Sequence, residues 1–398
     1  MANMTLINME KIRRDTPATA KRVFLNNAGS ALMPVQVVNA IKQHIDLESE
    51  VGGYAAADIA SYALDNVYVS IANLLNCNKD EIAITENATV AWQMGFYSIS
   101  FNPGDRILTA QSEYAANYVA YLHVAKKYGV IVDTIPNDEY GAVDTKALEE
   151  MLDEKVKLIS ITWIPTNGGL INPAENIGKI AKKYGITYLL DACQAVGQFN
   201  IDVQKIGCDM LSATGRKFLR GPRGTGFLFI KKDLLLKSHP PLIDHFGAPW
   251  ISKDKYLLRE DARRFETWEN NYAGRLGLGA ATDYALAIGL DAIGQACFRL
   301  ATELRIGLSS IRRIKMLDLG KDQSAIVSFM IQGVDAIDVV RAAEKEAITL
   351  DTSRPQGTRL DSEARSLPVI IRASPHYYNT LEEIHRLVLF CERFTVHS

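Results

Sequence analysis

The stretch Ser212-Ala213-Thr214-Gly215-Arg216-Lys217, just ahead of the glycine-rich Gly221-Pro222-Arg223-Gly224-Thr225-Gly226, carries the groups best suited to chemistry. A lysine becomes a nucleophile, able to form a Schiff base with a carbonyl, once its ammonium loses a proton. The neighbouring cation Arg216 favours that loss at Lys217. The same hexapeptide also reads as a solvated Lys/Arg pair in a surface turn. Asp191 is the second such group, because it directly follows the apolar Tyr188-Leu189-Leu190. A carboxylate there is costly unless it meets a cation or hydrogen-bond donors. It also reads as the cap of a following helix. Asp191 and Lys217 lie 26 positions apart, room for one helix and one strand, so they can stand at neighbouring strand ends.

The elements that must position them follow one theme. Strand-like runs occur at 80–85, 106–110, 130–135, 156–164 and 186–190, separated by helical spacing at 118–128, 145–153 and 175–184. Nearly continuous β-branched and leucine runs alternating with helices signal a parallel sheet covered on both faces, whose ligands sit at the carboxyl ends of its strands. The polar groups fall at those ends: 87–89, Glu113-Tyr114, Thr166-Asn167, Asp191 with Gln194, and 214–217. Glu86-Asn87-Ala88-Thr89 turns a strand into an apolar helix, placing free backbone N–H groups and the Thr89 hydroxyl where an anion would bind, although an ordinary helix cap has the same composition. Phe24 to Ser30 breaks into small polar residues before Pro34 and a helix, and Gly52-Gly53-Tyr54 reads as a loop. Later come a small-residue helix at 274–294, a helix at 297–314, a strand at 326–329, a helix at 336–347, a strand at 369–371 and a closing apolar helix at 381–394.

The 398 residues, 47% hydrophobic and 23% charged, suffice for a large core and a second domain. A net charge of -2 implies no general attraction to nucleic acid. Five cysteines without paired spacing argue against a zinc site or a disulfide framework, and a cytoplasmic setting is expected. No apolar run approaches the ~20 residues that span a bilayer, and no signal peptide is legible.

Thr85-Glu86-Asn87-Ala88-Thr89, Asp191 to Gly197, Thr214-Gly215-Arg216-Lys217 and Arg372-Ala373-Ser374 with Tyr378-Asn379-Thr380 together resemble the motifs of class V aminotransferase-family enzymes, in the family's order. That group includes cysteine desulfurases, selenocysteine lyases and isopenicillin N epimerase. The resemblance implies a fold type I α/β enzyme using pyridoxal 5'-phosphate. It implies an N-terminal segment (1–25) packed on the small domain, a large cofactor-binding domain (26–270) with a mainly parallel sheet between helices, and a connecting helix with a small C-terminal α/β domain (271–398). By resemblance, Lys217 holds the cofactor and moves the α-proton, and Asp191 keeps the pyridine nitrogen protonated. Gln194 donates to the phenolic oxygen. Ala88, Thr89, Thr214 and Arg216 form the phosphate cup, and Tyr114 supplies the aromatic face that relatives draw from histidine. Arg372 clamps a substrate carboxylate, and Asn27, Thr166 and Asn167 lie near the substrate. Arg263 to Glu269 resembles the segment that enters the partner subunit's site, implying a homodimer, with Thr267 and Trp268 replacing the expected small residues. The segment from Ser353 to Leu367 lacks the loop cysteine of the desulfurases. The expected reaction is therefore β-elimination from a cysteine conjugate, with transamination or epimerisation as alternatives and a catalytically silent scaffold as the alternative of another class. The partner is then a small amino-acid substrate; no metal, nucleic acid or membrane is expected.

Overall fold

The computed structural model describes residues 7–396, so positions 1–6 of the expected N-terminal segment lie outside the described residues. Seven strands make the principal sheet: β1 (Ile82–Thr85), β2 (Arg106–Ala110), β3 (Ile131–Ile135), β4 (Val156–Thr162), β5 (Thr187–Asp191), β6 (Met210–Thr214) and β7 (Gly226–Ile230). Their spatial order is β1-β7-β6-β5-β4-β2-β3, and all neighbours are parallel except that β7 runs against both β1 and β6. The period-2 pleat sends alternate residues into two separate cores. Ile107, Leu158, Leu189, Met210 and Leu228 join one, with Trp92, Phe96 and Tyr121 of the overlying helices, while Leu108, Ile159, Leu190, Leu211 and Phe229 join the other. Burial on both faces is why these strands read as unbroken apolar runs rather than as alternation.

β2 and β4 are neighbours, yet β3 lies beyond β2 and β5 lies beyond β4. The chain therefore leaves these two strands in opposite directions, which opens a crevice at their carboxyl ends. The residues after β2, β4, β5 and β6 border it, and the Ala88–Phe96 and Ala115–Tyr128 helices begin at the same end.

A second sheet of four antiparallel strands, β8 (Ile314–Met316), β9 (Val327–Ile331), β10 (Asp351–Ser353) and β11 (Ile370–Ala373), is ordered β8-β9-β11-β10. Near the N-terminus, Val23–Phe24 pairs in parallel with Ile348–Thr349, and Arg13 forms an ion pair with Glu383 at 2.7 Å.

Four details differ from the sequence reading. The helices expected at 274–294 and 297–314 are Tyr272–Ile288 and Leu290–Ser309, so the break falls earlier, at Gly289, whose φ of +95° lets them meet at 82°. Asn27–Ser30 forms a helical turn, and Gly53 opens a helix to Ile59, so only Gly52 interrupts the pattern. The hairpin of Trp250–Ser252 with Lys255–Tyr256 and the short strands β8 and β10 gave no alternating pattern long enough to read. Among the described residues no single helix is long and apolar enough to cross a membrane.

Candidate active site

The turn after β6 carries Lys217. It closes on itself through Gly221 N–H to the Gly215 carbonyl at 2.7 Å and Arg220 N–H to the Lys217 carbonyl at 2.9 Å. A Cβ on Gly215 would lie 2.3 Å from Thr225 Oγ1, so only glycine permits this approach. Lys217 is half-buried at the crevice floor. Burial lowers its pKa most; Cys193 and Asp191 push it back up, and Arg216 and Arg372 lower it again, leaving it below the usual lysine value.

Asp191 is the last residue of β5 and is buried. Its Oδ1 accepts the Cys193 N–H and its Oδ2 accepts from Asn117 Nδ2, each at 2.9 Å. Two donors hold the carboxylate in place while lone pairs remain for a third, which is how a buried acid presents charge to a ligand. Tyr114 precedes the Ala115–Tyr128 helix, with its side chain 37% exposed. Burial raises the pKa of its phenol most, Cys193 and Asp191 raise it further, and Arg216 and Arg372 pull it back.

The anion end lies at the first turn of the Ala88–Phe96 helix. Asn87 caps it by accepting from Val90 N–H at 3.0 Å, and Ala91 N–H bonds to the Asn87 carbonyl. The amides of Ala88 and Thr89 belong to the turn that has no intrahelical acceptors. β7 abuts this turn so closely that a Cβ on Gly226 would lie 2.5 Å from the Asn87 carbonyl carbon. Thr214 pairs with Gly226 in register, and its hydroxyl donates to the Thr225 carbonyl at 3.3 Å. Arg216 donates through Nη1 to the Gly29 carbonyl.

At the other end stands Arg372. Its Nη1 donates to Thr166 Oγ1 at 2.8 Å and to the Thr166 carbonyl at 3.0 Å, while Nη2 meets Asp351 Oδ2 at 3.1 Å and Asn26 Oδ1 at 3.4 Å. Gln194 Nε2 reaches the Ala28 carbonyl at 3.1 Å and Thr166 Oγ1 at 3.4 Å. Gln194 Oε1 and Arg372 Nε are buried without a hydrogen-bond partner among the described residues. Unpaired buried polar atoms are costly, so both fit a group that arrives with a ligand.

Two expected substrate contacts are corrected. Asn27 is fully buried, with Nδ2 donating to the Ser374 carbonyl at 2.6 Å and Oδ1 accepting from the Tyr378 hydroxyl, so both ends of its amide are used in joining distant segments. Asn167 is turned away, donating to Asp361 Oδ2 at 2.8 Å. Thr166 does lie at the cleft. Asn26, Asn117 and Asp351 were missed: Asn117 sits one helical turn past Tyr114, and Asp351 is found only through its cross-strand register with Arg372.

The family model for class-V aminotransferases matches residues 23–387. The chain belongs to the class-V aminotransferase family. It is 30% identical over 390 residues to a probable cysteine desulfurase of Methanothermobacter thermautotrophicus, covering 96% of this chain and 97% of that protein. The apo structure of the cysteine desulfurase of Thermococcus onnurineus NA1 superposes with a TM-score of 0.90 at 27% identity, covering 100% of each chain. The cysteine desulfurase CsdA of Escherichia coli, in its S-sulfonic acid form, gives 0.89 at 25% identity, covering 98% of each. The fold is that of fold type I, and this class-V enzyme is pyridoxal-phosphate-dependent. The lysine, the held carboxylate and the open helix turn suit that cofactor, and the orphaned Arg372 Nε suits an acidic group on a ligand beside it.

Proposed function

We propose that this class-V enzyme removes the α-proton of a cysteine conjugate and eliminates its β-sulfur substituent, releasing pyruvate, ammonia and a sulfur product. The convergence of Lys217, Asp191 and Arg372 on one cleft carries this reading. When bound, pyridoxal phosphate supplies an electron-withdrawing ring that delocalises the electron pair left at Cα. Lys217 would hold the cofactor through its amine, and its Nζ takes the α-proton; its lowered pKa keeps a larger neutral fraction than an ordinary lysine. Asp191 holds the ring nitrogen protonated. Arg372 receives the α-carboxylate with its free Nε, and a guanidinium matches that group by parallel hydrogen bonds. Gln194 meets the phenolic oxygen, Ala88, Thr89, Thr214 and Arg216 surround the phosphate, and Tyr114 faces the ring.

The Cα pair forms a Cα=Cβ bond as the Cβ–S bond breaks with its electrons leaving on sulfur. The sulfur takes the proton that Lys217 carries, and water then replaces nitrogen to give pyruvate. A desulfurase-type transfer needs an acceptor thiolate. The segment from Ser353 to Leu367 has no cysteine. It is folded into the turn Pro355–Thr358 and the helix Arg359–Ala364, pinned by Asp361 to Asn167. Cys193, beside Lys217, has its thiol pKa raised well above the usual range by burial and by Asp191, which disfavours a thiolate there.

Holoenzyme incubated with S-substituted cysteines and no keto acid should form pyruvate continuously. A single turnover that stops until a keto acid is added means transamination instead, and loss of substrate chirality without pyruvate means epimerisation.

The same reading gives a cytoplasmic homodimer, with large-domain residues 26–270 and small-domain residues 271–398. Exposed Tyr54, Ile59 and Tyr62, and the hairpin residues Trp250 and Ile251 with adjacent Leu257, support pairing of two copies. Sedimentation at micromolar concentration should report twice the 44.0 kDa chain mass. An active monomer contradicts it.

A further inference from the structure

One buried carboxylate beside the cleft has no part in the chemistry above. Glu113 follows β2 and is 3% exposed. Its Oε1 accepts the Tyr114 N–H at 2.8 Å, Asn117 Nδ2 at 2.9 Å and the Thr162 hydroxyl. Its Oε2 accepts the Thr162 N–H and the Thr109 hydroxyl, each at 3.0 Å. Asn117 Nδ2 also donates to Asp191 Oδ2 at 2.9 Å, so one amide group spans two buried carboxylates. An amide nitrogen has two hydrogens, and both are used here, which fixes the orientation of the Asn117 side chain.

These contacts cross the crevice. Thr109 is on β2, Thr162 ends β4, Asp191 ends β5, and Tyr114 and Asn117 open the helix above. We propose that Glu113 is the positioning residue for the cofactor ring, setting the Tyr114 backbone directly and the Asp191 carboxylate through Asn117. The inference rests on the roles given above to Tyr114 and Asp191. Glu113 therefore governs both the aromatic face and the charge that meet the ring, while touching neither cofactor nor substrate.

A glutamate side chain suits these neighbours and an amide does not. Each of its oxygens accepts a backbone N–H, from Tyr114 or from Thr162. In a glutamine one of those positions becomes an NH₂ facing an N–H, whichever way the amide turns. A buried donor opposed to a donor loses its hydrogen bond and forces the neighbour to move. Burial pushes the Glu113 pKa up most, Asp191 raises it further, and the bonds from Thr162, Asn117 and Tyr114 pull it back, to about 7. The two threonine hydroxyls can rotate to accept, so the site also accommodates the acid form.

The test titrates apoenzyme with pyridoxal phosphate, reading affinity and the visible absorbance and circular dichroism of the bound cofactor. Glu113→Gln should weaken cofactor binding about 10- to 100-fold, the scale of a lost charge-assisted hydrogen bond. It should also displace the visible band and reduce its dichroism. Asn117→Ala should displace the band in the same direction, and the double variant no further than the larger single one, because Glu113 reaches Asp191 through Asn117. Should Glu113→Gln fail to fold, Asn117→Ala alone carries the comparison. Wild-type affinity and spectrum in either folded single variant, or additive band shifts in the double, overturns the proposal. Failure of the underlying reading looks different: Asp191→Asn itself then leaves the spectrum unchanged.

Discussion

Replacing Lys217 with alanine lowers turnover by roughly 10,000-fold or more, because it removes the attachment amine together with the general base, and the base alone is worth about 100- to 10,000-fold. Borohydride reduction followed by peptide mapping should place the cofactor on residue 217 of the wild-type protein and nowhere in the variant. An adduct on another lysine in a variant that still turns over would sink the assignment. The pH profile gives a second check. The protonated amine cannot accept the α-proton, so the rate rises as pH passes through the Lys217 pKa, and the lowered value puts that rise on the acid side of an ordinary lysine's. Arg216 lowers the pKa, so Arg216→Ala should carry the rise to higher pH.

Asp191→Asn is the second large effect, a loss in turnover on the order of 1,000-fold, comparable to removing a preorganised electrostatic contact. The carboxylate accepts from Cys193 N–H and Asn117 Nδ2 and keeps lone pairs for a ring N–H. Asparagine has one acceptor oxygen, so its NH₂ must face either one of those donors or the ring. The fold is expected to survive, since asparagine matches aspartate in size and leaves the fully buried β5 residues Tyr188, Leu189 and Leu190 unchanged. Near wild-type turnover with cofactor bound would remove Asp191 from the mechanism.

Much of the large sheet was legible because its strands are buried on both faces. Val156–Thr162 and Thr187–Asp191 are buried almost throughout, and glycines at 185 and 207 end the helices that precede Thr187–Asp191 and Met210–Thr214. The position of the break between Tyr272–Ile288 and Leu290–Ser309 was not legible and was read several residues too late, because Gly289 sits among many small residues that helices tolerate and only its positive φ marks the break. Short strands such as Ile314–Met316 and Asp351–Ser353 are shorter than any period that could identify them.

The sequence by itself offered the parts of the candidate site: an amine after β6, a carboxylate ending β5 and an open helix turn at Ala88 follow from residue type at a strand or helix boundary, whereas Arg372, inside β11, came only from the family resemblance. Such groups are local, and their neighbours in the chain announce them. Only the tertiary structure decided what each polar side chain faces. Asn27 and Asn167, adjacent to residues of the cleft, turn to Ser374 and Asp361. Asn26 and Asp351 meet Arg372 instead. Glu113 collects donors from β2, β4 and the Ala115–Tyr128 helix. A buried hydrogen bond needs a partner within about 3 Å, and that partner comes from segments tens or hundreds of residues away, brought close only by the order of the strands.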